Sequence, residues 1–353
     1  LPTRFEGKLI GVEPIQGRLV ESQVIPDRSS FRNLDLSRPV TSDDRWFRPV
    51  DIKVGPEGAI YVCDWYDQQI SHYRNHEGKM DTNNGRIYRL RAKDQSPKSK
   101  VQSPEDLSKL ATTQLVERLT NSNRWVRQTA LRLLADRCDS SLITALSSAL
   151  HRSSGQLALE TLWALNLCGG LTEAEALKAL DHSDPFVRLW TVRLLGDTQR
   201  VAPEVAGRLA TMAAQEPNLE VRNQLAATAK RLPAPDGLAV VRALALRAED
   251  TDDNRMPSLL WWAIEAQCED HRDAVLQLYA DPSFWRSPLV ETHLVERTVR
   301  RFAQAGSRRD LLTCARLFEL SPLVENSRRL MAGFEAAYKG RTLSGLPDEL
   351  VKA

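Results

Sequence analysis

The side chains best suited to chemistry lie close together near the start of the chain. Arg45 and Arg48 precede one apolar strand pattern, and Asp64, Tyr66, Asp67 and His72 follow the next. An arginine guanidinium is a planar fork that pairs bidentately with a carboxylate. Arg48, with Arg45 as the weaker alternative, is therefore the arginine to single out as a partner for an anionic group. A carboxylate near an imidazole can move protons or hold a cation, so Asp64, Asp67 and His72 are the candidate catalytic residues. Structural roles compete with these. Arg48 could tie Asp44 or Asp64 at a sheet edge, and aspartates after a strand bond their own backbone in turns. His76 sits in a polar loop and reads as solvated.

Short strands must position these residues. Val50, Ile52 and Val54 alternate with Asp51 and Lys53, the period of a strand with one buried face. Gly55-Pro56-Glu57-Gly58 is a turn, and Ala59 to Val62 is the returning strand. Lys8–Val12, Arg18–Ile25 and Gly85–Leu90 read as further strands, with residues 67–84 as a polar loop. Four such strands amount to about one β-propeller blade. One hairpin cannot bury its faces alone, so residues 1–92 are expected to be a partial propeller and the chain a fragment. Leu1 and the residues after it show no signal-peptide pattern.

Composition narrows the classes. Hydrophobic residues at 42% and charged residues at 27% suit a folded domain, and a net charge of +2 lacks the asymmetry of a nucleic-acid binder. No run is long and apolar enough to span a membrane. Cys63, Cys138, Cys168, Cys268 and Cys314 are scattered, with no metal or haem-attachment spacing, and read as buried free thiols. His151, His182, His271 and His293 are too dispersed in sequence to form a ligand pair and read as structural. No metal site, no haem site and no complete cofactor pocket is expected within this chain.

Residues 93–103 are polar and aperiodic, a linker. Ser103-Pro104-Glu105-Asp106 then reads as a helix start, and the remainder is helical in pattern. An apolar template recurs at Val126, Leu157, Val187, Val221, Met256 and Val290, at spacings of 30 to 35 residues. Each unit has room for two antiparallel helices and one apolar face too many to fold alone, so the copies should stack. Asn123-x-x-Val126-Arg127, Asp184-x-x-Val187-Arg188 and Asn218-x-x-Val221-Arg222 place a polar cap before an apolar residue and an arginine. In this the helical part resembles HEAT-like repeats. The fold expected is mostly α: a HEAT-like α-solenoid over 104–300, helices over 301–353, and the partial propeller in front. The six tryptophans of this part read as core, except that Trp261 and Trp262 cannot both face inward, so one should be exposed at a contact surface.

Arg45-Trp46-Phe47-Arg48-Pro49-Val50-Asp51-Ile52, Gly55–Val62, Asp64-Trp65-Tyr66-Asp67 and Asn84–Arg89 resemble the last blade of a group of bacterial propellers. These are the membrane-associated, haem-binding dehydrogenase-like proteins of planctomycetes and verrucomicrobia. In them a propeller similar to sugar quinoprotein dehydrogenases precedes HEAT-like repeats and a cytochrome c domain. The resemblance implies a parent that oxidises a sugar or alcohol with a quinone cofactor, Ca2+ and haem c, in the periplasm or cell envelope. It also implies that Arg48 faces the cofactor carboxylates. Most of the propeller and the cytochrome motif are absent here, so this chain alone should not turn over. Two other readings stand beside it: a protein-interaction scaffold without catalysis, and a propeller that binds carbohydrate without redox chemistry.

Overall fold

The computed structural model describes residues 3–68, 83–90, 105–340, 342–343 and 345–353. The fold is mostly helical, with two small antiparallel sheets. Contacts divide the chain into two compact units. The first holds Leu1–Asp27, Phe31–Leu150 and Glu160–Gly170; the second holds Arg28–Ser30, His151–Leu159 and Leu171–Ala353.

In the first unit, β1 (Leu9–Glu13), β2 (Arg18–Asp27) and β3 (Ser30–Thr41) form one sheet in that order. β4 (Pro49–Val54), β5 (Ile60–Asp64) and β6 (Arg86–Leu90) form the other. Where the sequence reads five strands, the described residues form six, in two three-stranded sheets. Leu19, Ile60 and Val62 form a shared core, flanked by Ile10, Val12, Val40, Ile52 and Leu90. The β4–β5 turn is as expected: Gly58 has φ +79° and donates to Gly55 O at 2.9 Å. β3 has no counterpart in the sequence reading. Nearly all its residues are exposed or half-buried on both faces, so it shows no alternation. Ser22 Oγ to Asp35 (2.8 Å) and Ser37 Oγ to Glu21 (2.5 Å) bind it to β2, and Pro39 is tolerated because β3 is an edge strand.

Glu105 and Asp106 are not helical, which corrects the expected helix start. Asp106 instead caps a single 3-10 turn, Leu107–Lys109, by accepting from Ser108 N. Then come α1 (Thr112–Arg118), α2 (Arg124–Arg137), α3 (Ile143–Arg152) and α4 (Gly155–Leu167). Gly169-Gly170 stops the chain's helical path after α4. Gly169 has φ +77°, and Gly170 N reaches back to Leu165 O at 2.8 Å, closing the last turn.

The second unit contains α5 (Glu173–Leu180), α6 (Pro185–Asp197), α7 (Pro203–Gln215), α8 (Leu219–Ala229), α9 (Ala234–Ala245), α10 (Met256–Glu265) and α11 (Arg272–Tyr279). It continues with α12 (Pro282–Trp285), α13 (Val295–Ala305), α14 (Arg308–Leu320), α15 (Val324–Tyr338) and α16 (Asp348–Lys352). These helices lie in two rows. One row runs α6, α8, α10, α13, α15 and the other α5, α7, α9, α11, α14, α16, each helix touching the next in its row. One continuous apolar core runs through the unit, from Leu180 to Leu350.

The template positions Val187, Val221, Met256 and Val290 are fully buried. Leu157 is 37% exposed, so the second copy of the template departs from the pattern. Trp285 is buried and Trp262 is 50% exposed, while Trp125, Trp163, Trp190 and Trp261 are half-buried. Of the thiols, Cys168, Cys268 and Cys314 are buried, Cys63 is half-buried and Cys138 is exposed, which corrects the expectation of five buried thiols.

Candidate functional site

Ile60, Val62 and Asp64 are the buried positions of β5. Period-2 alternation therefore puts the Asp64 carboxylate on the core face, at the end of the strand. There Oδ1 accepts from Arg48 N at 2.7 Å and from Tyr66 N at 2.9 Å. The carboxylate clamps the residue before β4 to the residues leaving β5. Trp65 N donates to Arg48 O at 2.9 Å and continues the join. Oδ2 of Asp64 and Nε of Arg48 are both buried, without a hydrogen-bond partner among the described residues.

The Arg48 guanidinium donates to two backbone carbonyls, Phe47 O at 2.9 Å and Gln68 O at 2.8 Å. Neither Asp44 nor Asp64 receives its side chain. Asp44 pairs instead with Arg86 at 3.3 Å, and the Arg86 guanidinium lies 4.0 Å from the centre of the Tyr66 ring. Trp46 also meets Tyr66, with ring centres 5.6 Å apart. Tyr66 has φ +55°, a left-handed conformation uncommon for a side chain of its size. The Asp64 hydrogen bond to its N–H and the contacts with Trp46 and Arg86 hold it there.

The structure thus brings Arg48, Asp64 and Tyr66 together. Arg45 is exposed and Asp67 is half-buried three positions past Asp64. His72 and His76, with residues 69–82, lie outside the described residues, as does the linker at 93–103. Among the described residues, no three His, Cys, Asp or Glu side chains form a group able to hold a metal ion. Three histidines of the helical part have structural partners: His151 with Glu175 at 2.7 Å, His293 with Thr251 O at 3.0 Å, and His182. The Nδ1 of His182 accepts from Asp184 N at 3.0 Å.

A second constellation recurs along the helices. Asn123, Asp184 and Asn218 each cap a helix by accepting a backbone N–H two residues on. The arginine four residues after each cap bonds a carboxylate far along the chain. Arg127 reaches Glu160 at 2.8 Å, Arg188 reaches Glu216 at 2.6 and 2.9 Å, and Arg222 reaches Asp250 at 2.5 and 2.7 Å. In each case the remaining nitrogen donates to carbonyls five and six residues earlier, such as Pro217 O and Glu216 O for Arg222. Planar, five-donor arginine suits this double duty and lysine does not. The arginines and caps are visible in sequence. The carboxylates were missed, although their recurrence about one repeat later is a signal that could have found them. In the next unit Met256-Pro257 replaces Val-Arg. There the cap carboxylate of Asp253 accepts from Arg255 N, Met256 N, Ser29 N and Ser29 Oγ.

Residues 1–94 match the model of a domain family of unknown function, DUF7133. No curated protein matches the chain.

Proposed function

We propose that this chain is a HEAT-like α-solenoid joined to a partial β-propeller, and that it works as an interaction scaffold without catalysis of its own. The observation that carries this is Trp262. It is half exposed on α10, where Met256, Leu260 and Ile264 are fully buried and Leu259 and Trp261 half-buried. Exposed tryptophan is costly to leave in water and is enriched at protein contacts. The polar groups of the repeats, in contrast, are spent on one another in the arginine–carboxylate bonds.

The test uses the full-length parent in its own cells. Trp262→Ser should leave melting unchanged and abolish a chemical cross-link to a protein partner that the unsubstituted chain forms. An unchanged cross-linking pattern overturns the surface assignment. Turnover of a sugar by this chain with added quinone and a dye acceptor, above a heat-killed control, overturns the non-catalytic reading.

A second reading is favoured by the Trp46–Tyr66–Arg86 cluster. With Arg45 exposed and Trp65 61% exposed, it offers aromatic and cationic surface at one strand end. Such a surface suits a sugar ring or an anionic cofactor. In this reading the parent is a periplasmic or envelope-associated sugar or alcohol dehydrogenase with a quinone, Ca2+ and a haem c domain. A Cys-x-x-Cys-His motif in the downstream gene sequence would support it, and its absence would refute the electron-transfer arm.

A further inference from the structure

A cleft of about 840 Å³ lies within the first unit, between β1, the β4–β5 hairpin and the first turn of α2. Its size is that of a small-molecule site. Asn123 precedes the lining residues Arg124 and Trp125. Its Nδ2 donates to Gly55 O at 3.1 Å and Pro56 O at 2.9 Å, pinning the hairpin turn to the start of α2.

The walls have a distinct chemistry. Lys8, Lys53 and Arg124 supply positive charge, while Phe5, Tyr61 and Trp125 supply aromatic surface. Among the described residues, no aspartate or glutamate lines the cleft. Glu57, on the turn, is held by Arg89 at 2.9 Å and by the Tyr61 hydroxyl at 2.5 Å. Lys53 is partly answered by exposed Asp51 at 3.1 Å. Lys8 and Arg124 make no ion pair among the described residues. Lys8 has only a long contact to Gln23 at 3.5 Å, and Arg124 faces the Gln128 amide. Arg124 and Trp125 are also the first two residues of a 14-residue helix, so the positive end of its dipole adds to the same region.

Two cations without an ion pair, beside aromatic walls and with no acid among the described lining residues, form a good seat for one kind of ligand. The geometry points to a small amphipathic anion: a carboxylate, sulfonate or phosphate monoester carried on a planar or hydrocarbon body. Lys8 and Arg124 pair with the charged group, and the body lies against Trp125 and Tyr61. This site is separate from the Trp262 surface, and its fate does not depend on that reading.

The test is a fluorescence titration of the full chain with 1-anilinonaphthalene-8-sulfonate and, in parallel, with its uncharged analogue N-phenyl-1-naphthylamine. The sulfonate should bind about tenfold more tightly than the neutral dye, and the Lys8→Gln/Arg124→Gln double variant should remove that advantage. The melting temperature of the variant should be unchanged, since both side chains are at the surface. Trp125→Leu should weaken both dyes. Met331→Asp, in a separate apolar groove near the C-terminus, should leave the sulfonate advantage intact. The proposal is overturned if the unsubstituted chain does not bind the sulfonate, or if both dyes bind equally. It is equally overturned if the double variant binds like the parent, or if inorganic phosphate alone competes as well as the dye does.

Discussion

Arg222 and Asp250 are 28 residues apart and meet in two hydrogen bonds of 2.5 and 2.7 Å, with 6% and 2% of their side chains exposed. The pair links the start of α8 to the segment before α10. Arg222 simultaneously satisfies Glu216 O and Pro217 O ahead of α8. A buried ion pair is a weak source of net stability, because desolvation consumes most of the Coulomb attraction. It is, however, intolerant of losing one partner.

Arg222→Ala should therefore destabilise the second unit by about 3–5 kcal/mol, since it strands a buried carboxylate and frees two carbonyls. Arg222→Met combined with Asp250→Leu should recover much of that loss. Urea denaturation of the single and double variants checks both. A double variant no better than the single one would mean that the carbonyl bonds, not the charge pair, set the cost.

Asp253 gives a pH prediction. Burial alone would raise its pKa, but the hydrogen bonds from Ser29 and from Met256 and Arg255 N–H outweigh it and hold the carboxyl below its ordinary value. A depressed folded pKa stabilises the protein above the unfolded pKa, about 4, and the contribution is lost as pH falls through the folded value. Asp253→Ala should cost about 0.5–2 kcal/mol at neutral pH for the lost cap, and more for the bonds to Ser29. The gap between variant and parent should narrow below pH 4 in thermal melts from pH 7 to pH 3.

Asp64→Ala should unfasten the β4 and β5 ends. It orphans the N–H groups of Arg48 and Tyr66, at about 1–3 kcal/mol for each that stays buried. Asp64→Asn keeps an oxygen acceptor and should be milder. Amide hydrogen exchange at Arg48 and Tyr66 reads the effect directly, and protection unchanged in Asp64→Ala would refute the clamp.

Thiol reactivity should sort the cysteines. Cys138 is exposed at the C-terminal end of α2, whereas burial pushes the Cys268 and Cys314 thiols up to about 12. The thiolate is the reactive form, so native protein should show one fast thiol toward an aromatic disulfide reagent, removed by Cys138→Ser. Cys268 and Cys314 should react only on unfolding. A fast phase that survives Cys138→Ser would contradict the burial pattern.

What the residues determined by themselves is local. Asn123, Asp184 and Asn218 cap helices because a short polar side chain can reach an N–H two or three residues on, wherever the helix then goes. Gly58 and Gly169 adopt positive φ for an equally local reason: no Cβ stands in the way. The alternation Ile60, Val62, Asp64 was likewise written in the strand.

Tertiary structure decided the partners. Nothing near Arg222 in sequence names Asp250; only the contact of α8 with α10 does. β3 has no apolar period, and pairing with β2 makes it a strand. Asp64 reads as a candidate catalytic acid in the sequence, and only the tertiary structure brings the Arg48 and Tyr66 N–H groups onto one of its oxygens. The cleft beside Trp125 draws its cations from residues 8, 53 and 124, so its charge exists only once those three segments meet. Local conformation follows from short-range sterics and hydrogen bonds, whereas pairing across many residues follows from which faces bury each other.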